Sequence, residues 1–283
     1  MSLDLHAAPG KQNNDAHAGT SDRANFFGDP HNQRRTIHAL RVLVQALNTV
    51  ASSKGTPIAN IIGIELLNEP NPPSDHLLQS WYSSAIDSIR QLDTNIPIYL
   101  GECWRTSSYS DYIATRPSSS LTVLDHHLYR CFTSEDIRTS TDDHIRELAN
   151  PAGKTFSMLT VASEKVGRAG GGVVIGEWSG ALNPGSFRGL PNEQRRFVDA
   201  QLKLFENCVA GWFFWTYKKQ NSGDTGWSFR DAVGAGIFPH FLGTQMRDNI
   251  GDAHSRGEAR ARGKKVALGR HSFQWHSPLL TEA

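Results

Sequence analysis

Short apolar runs alternate along this chain with longer segments in which apolar residues recur every three or four positions. Short runs rich in β-branched residues are typical of strands buried on both faces, whereas the longer periodic segments are typical of amphipathic helices. We therefore predict six strands, at residues 3–6, 60–67, 96–100, 121–129, 172–178 and 211–216. We predict helices at residues 37–51, 78–89, 142–167 with a break near Pro151, and 192–208.

The alternation of strands and helices predicts an α/β fold with a parallel sheet. A closed TIM (β/α)8 barrel has eight strands, and the first predicted strand begins at Leu3. The pattern therefore corresponds to strands three to eight of such a barrel, without the first two βα units. We expect this partial barrel over residues 1–245, followed by a charged C-terminal tail over residues 246–283 that is partly disordered or packed on the barrel.

Composition narrows the possible partners. The chain has 29 basic and 28 acidic residues and a net charge of +1, so neither nucleic acid nor an anionic membrane is expected to bind it. No run of eighteen apolar residues predicts a membrane span, and residues 1–10 lack the apolar core of a signal peptide. Cys103, Cys131 and Cys208 are too few and too widely spaced for a disulfide scaffold or a zinc site. One disulfide with one free thiol and three free thiols both stay open.

Two predicted strands lead into a glutamate that packing does not require. Glu69 closes the segment 61–70, and Glu177 closes the run 173–178. The C-terminal ends of the strands carry the chemistry in parallel α/β barrels. Two such glutamates on separate strands suggest a pair of carboxyl groups that act on one bond. The alternative is two unrelated glutamates bonded to helix N-termini.

Five motifs follow one another along the chain, namely Leu3–Asn13, Asn68-Glu69-Pro70, His127-Leu128-Tyr129, Gly176-Glu177-Trp178-Ser179 and Gly211–Lys218. Their order resembles that of glycoside hydrolase family 5, the cellulase family, and within it the fungal exo-β-1,3-glucanases. The resemblance covers about residues 1–240. It implies a retaining glycosidase with Glu69 as acid/base and Glu177 as nucleophile. The family's arginine on strand two and the branch's glutamate near strand one would precede Leu3.

The proposed roles of Glu69 and Glu177 lead to expectations about the residues around them. Repulsion between two neighbouring carboxylates predicts a raised pKa for the acid, Glu69. Tyr129 is expected to donate its hydroxyl to Glu177 and keep that carboxylate ionised. His127 shares a strand face with Tyr129 and is expected to bond either a sugar hydroxyl or the acid, while His126 faces the opposite side. Glu65 is assigned a structural place on the same segment as Glu69.

Three further residues are expected to bind substrate. The resemblance implies that Asn68 holds the sugar 2-hydroxyl, and His6 lies at the strand end where it would touch the sugar. Trp215 is expected to form an aromatic floor under a pyranose ring. Each has a structural alternative, namely a turn-forming asparagine, a hydrogen-bonded histidine or a core tryptophan. No metal ion or cofactor is expected.

The resemblance implies a glucan exo-1,3-β-glucosidase that acts on β-glucan, as a monomer if the barrel closes. One alternative is a β-glucosidase acting on another β-glucoside, such as a glucosylated sterol or lipid. Another is an N-terminally truncated and catalytically inactive fragment of such an enzyme. The extracellular space or cell wall is the location that the resemblance implies, with the cytoplasm as the alternative.

Overall fold

The structure is a computed structural model that describes residues 2–55, 60–117 and 121–239. The chain divides into two compact units. The first comprises Met1–His127 and Lys154–Gly176, and the second comprises Leu128–Gly153 and Glu177–Ala283. The predicted tail at 246–283 lies outside the described residues.

All six predicted strands are present, and neighbouring strands follow the order of the sequence. They are β1 (Ser2–Asp4), β2 (Gly63–Glu65), β3 (Ile98–Gly101), β4 (Thr122–Leu128), β5 (Gly172–Trp178) and β6 (Gly211–Phe214). The first four pair in parallel, with Asp4 opposite Glu65 and Gly101 opposite Asp125. The prediction of a parallel α/β sheet is confirmed.

Strands β1 and β2 end earlier than the sequence predicted. Leu5 still donates its backbone N–H to Glu65 O at 3.3 Å, and Asn68 donates to Leu5 O at 3.1 Å. The chain therefore stays paired beyond the regular ladder while it turns out of the sheet. This turn places residues 66–69 in a loop at the C-terminal end of β2.

The first unit contains four of the helices. They are α1 (Pro30–Lys54), α2 (Asp75–Arg90), α3 (Thr106–Ala114) and α6 (Lys154–Arg168). Helix α1 begins seven residues before its first predicted apolar position, because Asp29 accepts a hydrogen bond from His31 N and Pro30 fits the first turn. The capping residues are not part of the apolar stripe, so the prediction from periodicity placed the start of the helix too far along the chain.

Helix α2 buries the face that the sequence predicted, including Leu78, Trp81, Tyr82, Ala85 and Ile89. Its Tyr82 is fully buried and donates its hydroxyl to Gly101 O at 2.7 Å, which ties the helix to the end of β3.

The Tyr82 bond gives a stability prediction. Tyr82→Phe should lower the free energy of unfolding by about 1–3 kcal/mol, because the buried Gly101 carbonyl loses its side-chain donor. Urea denaturation monitored by far-UV circular dichroism measures the change. Tyr217→Phe is the control, since Tyr217 is exposed and should shift the midpoint little. An equal effect of both substitutions would show that the bond contributes nothing specific.

The second unit contains the remaining helices, α4 (Ser134–Arg138), α5 (Thr141–Ala149), α7 (Glu193–Cys208) and α8 (Phe229–Gly234). Trp178 is fully buried at its centre, with ring centroids of Phe205, Trp212 and Phe214 between 5.0 and 5.3 Å away. This tryptophan beside the candidate nucleophile is therefore a core residue of the unit.

Three helices, α3, α4 and α8, were missed by the sequence prediction. They have only five to nine residues, which is too short for an apolar stripe to repeat. Helix α4 instead depends on a capping box, in which Thr133 and Asp136 satisfy each other's backbone N–H groups. The predicted break in the helix at 142–167 is confirmed, because α5 ends at Ala149 and α6 begins at Lys154.

The structure also decides the state of the cysteines. Cys103, Cys131 and Cys208 all lie among the described residues and are free thiols. Within that described part of the chain, no helix combines the length and the apolar character that crossing a bilayer requires.

Candidate active site

Glu69 lies in the loop after β2, and its backbone is held by the loop after β1. Asn13 Nδ2 donates to Glu69 O at 2.8 Å, and Gln12 Nε2 donates to Asn68 O at 3.0 Å. Glu69 adopts a positive φ of 40°, which few non-glycine residues do without support from their surroundings. The segment 11–13 thus has a definite task, which is to fix the backbone that carries the candidate acid.

Two histidines contact the Glu69 carboxyl group. His127 Nδ1 donates to Glu69 Oε1 at 2.7 Å, and His17 Nε2 lies 3.3 Å from Glu69 Oε2. Only 13% of the Glu69 side chain is exposed. Of the two partners that the sequence offered for His127, a sugar hydroxyl or the acid, the structure shows the acid. The sequence prediction missed His17, because a loop sequence gives no periodic signal for which of its histidines will lie near Glu69.

These histidines reverse the expected protonation behaviour of Glu69. Burial raises the pKa of its carboxyl group, but the hydrogen bond from His127 and the positive charges of His127, His17 and His6 outweigh burial. The pKa of Glu69 therefore lies below its ordinary value. The prediction of a raised pKa was wrong here, because it considered a neighbouring carboxylate and not a cluster of imidazoles.

Asn68 and His6 lie beside Glu69 in the first unit. Asn68 is 1% exposed, and neither polar atom of its side chain has a hydrogen-bond partner among the described residues. A buried amide without partners is costly unless a ligand satisfies it. His6 Nδ1 donates to Asp4 Oδ2 at 2.6 Å, and its ring centroid is 5.3 Å from that of His17. Both side chains thus lie close to the candidate acid.

The adjacent histidines of β4 face opposite sides, as strand geometry predicts. His126 Nδ1 donates to the buried Glu102 Oε1 at 2.5 Å. His127 contacts Glu69 instead. Only His127 therefore belongs to the site.

Trp104 is an exposed aromatic residue near Glu69 that the sequence prediction missed. Its ring is 58% exposed, and its Nε1 donates to His127 O at 3.0 Å. A cleft beside it is lined by Glu69, Glu102 and Asp125 among others. The position of Trp104 shortly after β3 could have indicated that it lies near the site, since loops after parallel strands carry functional residues.

Glu177 is the penultimate residue of β5 and belongs to the second unit. It is 9% exposed, and Tyr129 donates its hydroxyl to Glu177 Oε2 at 2.7 Å. A hydrogen bond to a carboxylate favours the ionised form. The pairing therefore suits a carboxylate that attacks as a nucleophile.

Two aromatic rings, the half-buried Trp227 and the exposed Phe132, lie beside Tyr129 in the second unit. Trp227 and Phe132 lie 5.5 and 5.3 Å from it between ring centroids. Trp215, which follows β6, is 41% exposed, and its backbone N–H donates to Trp178 O at 2.8 Å. The core alternative for Trp215 is therefore wrong. Trp227 and Phe132 were missed, because neither belongs to a predicted strand.

Two groups of side chains in the first unit could each offer three ligand atoms to a metal ion. Glu69 with Asp15 and His17 forms one group, and Glu65 with Asp125 and His127 forms the other, each with atoms within 4.8 Å of one another. In both groups some of these atoms are hydrogen-bonded or lie close to each other already. The arrangement does not require an ion to hold it together.

Comparison with known proteins places these features in context. The family model of cellulase (glycosyl hydrolase family 5) matches residues 2–221. Glucan 1,3-beta-glucosidase 3 of Schizosaccharomyces pombe is 31% identical over 236 residues, which cover 82% of this chain and 46% of that protein. Glucan 1,3-beta-glucosidase of Yarrowia lipolytica is 27% identical, over 84% of this chain and 61% of that protein. The chain thus spans about half the length of the curated relatives it matches.

The fold has a solved counterpart. The crystal structure of rutinosidase from Aspergillus niger superposes with a TM-score of 0.65 at 16% identity, over 83% of this chain and 66% of that one. At this identity the similarity concerns the fold alone. It confirms that the six strands are those of a TIM-barrel architecture.

Proposed function

Because the chain belongs to glycosyl hydrolase family 5, we propose that it acts as a retaining glycosidase on β-glucosidic bonds, with Glu69 as acid/base and Glu177 as nucleophile. The observation that carries this proposal is that each glutamate has its own dedicated partner. His127 donates to Glu69 and Tyr129 donates to Glu177, each at 2.7 Å. These hydrogen bonds orient both carboxyl groups, as a donated proton and an attacking carboxylate require.

The two environments suit two different tasks. The Tyr129 hydroxyl favours ionised Glu177, which attacks the anomeric carbon and forms a glycosyl–enzyme ester. Glu69 donates its proton to the leaving oxygen as the bond breaks, and His127 stabilises the carboxylate that results. Glu69 then removes a proton from water, which hydrolyses the ester and restores both groups.

Substrate contacts follow from the remaining side chains. We propose that the buried amide of Asn68 binds the sugar 2-hydroxyl, which would satisfy its unpaired atoms. Trp215 offers an exposed ring for stacking on the sugar, His6 offers a polar contact, and Trp104 offers a ring for the leaving group. The names of the two relatives support β-1,3-glucan as the substrate, with glucosylated sterols or lipids as alternatives.

Turnover by the purified chain tests the proposal. The assay combines an aryl β-glucoside with laminarin and a glucosylated sterol, and mass spectrometry identifies the products. Release of glucose from laminarin supports the glucan assignment, whereas release from the sterol alone supports the alternative. If well-folded protein cleaves none of the three, the inactive-fragment interpretation is correct for this polypeptide.

The imidazole cluster around Glu69 gives a pH prediction. The acid must be protonated to act, so its lowered pKa confines activity to the acidic side. His17→Gln removes a positive charge near the carboxyl group, which should raise the pKa of Glu69 and move the alkaline limb of kcat/KM up by about half a pH unit. His38→Gln, an exposed change on α1, is the control. A downward shift of the limb would contradict the role of His17.

A further inference from the structure

Two buried carboxyl groups beneath His127 have no part in the chemistry described so far. Glu65 is 5% exposed and Asp125 is 4% exposed. One oxygen of each carboxyl group and a ring nitrogen of His127 lie within 4.8 Å of one another. Two carboxylates at this distance cannot both be ionised at low cost in a buried place, so one proton is shared between them.

We infer that Glu65 and Asp125 form a buried pair with one shared proton and one negative charge, and that this pair positions Glu69 by acting through His127. This inference rests on the proposed function, since it assigns a task within the same site. Both are positioning residues in this role, because they act on the candidate acid through His127.

The geometry around His127 supports this role. Its Nδ1 donates to Glu69 at 2.7 Å, while its Nε2 faces Asp125 Oδ1 at 4.0 Å. The ring therefore lies between the candidate acid and the buried pair. A negative charge on the Nε2 side favours the doubly protonated imidazolium, whose Nδ1–H then has a fixed direction toward Glu69.

Gly176 shows that the position of Asp125 is built into the fold. A Cβ atom on Gly176 would lie 1.9 Å from Asp125 Oδ1, so no side chain fits there while the carboxyl group occupies this place. The backbone N–H of Gly176 also donates to the Asp125 carboxyl group. Gly176 immediately precedes Glu177 in the chain, so Asp125 holds the backbone that leads into the candidate nucleophile.

The charged and titratable groups that face the pair come from several elements. They are Asp4 on β1, Tyr99 on β3, Tyr82 on α2 and His127 on β4. Burial raises the pKa of Asp125 to about 6, although the charge of His127 acts in the opposite direction.

Titration of His127 by ¹⁵N NMR tests the inference without requiring activity. The double variant Glu65→Gln/Asp125→Asn removes the negative charge and should lower the midpoint of His127 by about one pH unit. Each single variant leaves one carboxyl group to carry the charge and should shift the midpoint less than half as far. Glu193→Gln, a buried change in the second unit, is the control for an added amide.

The possible outcomes separate this inference from the proposed function. An unchanged His127 midpoint in a folded double variant overturns the inference, whether or not the chain is active. A lowered midpoint in a chain without turnover supports the pair and contradicts only the proposed function. If the double variant does not fold, ¹³C titration of the unaltered protein decides, because two ionised carboxyl groups at pH 5 would overturn the shared proton.

Discussion

Glu177→Gln should abolish covalent labelling by a 2-fluoroglucoside and lower turnover of aryl β-glucosides by roughly 10⁴-fold or more. The amide has nearly the shape of the carboxylate, but it carries no charge and cannot attack the anomeric carbon. Tyr129 keeps an oxygen to which it can donate, so the surrounding fold should persist. Intact-protein mass spectrometry measures the label as one added fluoroglucosyl group per chain.

Tyr129→Phe is the matched control for this experiment. It removes the partner of Glu177 and leaves the nucleophile in place, so labelling should become slower and still reach completion. If Glu177→Gln is labelled as fast as the unaltered protein, another residue is the nucleophile. If the unaltered protein is not labelled, the variant says nothing about Glu177 and the inactive-fragment interpretation gains support.

Glu69→Gln should separate substrates by the quality of their leaving groups. Without a proton donor, hydrolysis of laminarin should fall by about 10²–10⁴-fold, because the alkoxide departs unprotonated. A 2,4-dinitrophenyl β-glucoside needs no such help in its first step, so the glycosyl–enzyme ester should still form and then accumulate. A burst of dinitrophenol followed by slow steady turnover is the kinetic signature.

Asn68→Ala is the comparison for the acid/base variant. It should weaken catalysis with all leaving groups alike, because the proposed contact to the sugar 2-hydroxyl does not depend on the departing group. Equal losses for laminarin and the dinitrophenyl glucoside in Glu69→Gln would mean that Glu69 does not act as the acid. Covalent trapping that fails in Glu69→Gln and persists in Glu177→Gln would reverse the two assignments.

Local signals explain which parts of the fold could be predicted. The runs that became β2, β4 and β5 are visible in the sequence, because strands buried on both faces are rich in β-branched and apolar residues. Helices α3 and α8 were not visible, because nine and six residues are too few for an apolar stripe to repeat. The start of α1 at Pro30 depended on the Asp29 cap, which an apolar stripe does not record.

Some residues of the candidate site could likewise be predicted from the sequence, and others could not. Asn68, Glu69 and Glu177 stand out in short motifs, because a polar residue directly after an apolar strand is conspicuous. His17 and Trp104 reach Glu69 or its neighbourhood from loops, and a loop sequence contains no periodic signal for where its side chains point. The lowered pKa of Glu69 was not predicted, since it depends on the hydrogen bond from His127 of β4 together with the charges of His17 and His6.

The parallel α/β class, the family resemblance and the two candidate carboxylates can be recognised in the amino-acid sequence, because they follow from local patterns of apolar and polar residues. The groups that contact the two carboxylates become known from the folded chain alone. Folding places His127 against Glu69, Tyr129 against Glu177, and the buried pair of Glu65 and Asp125 beneath His127. Such contacts join residues far apart in the chain, and their distances arise when the strands pair and the loops pack.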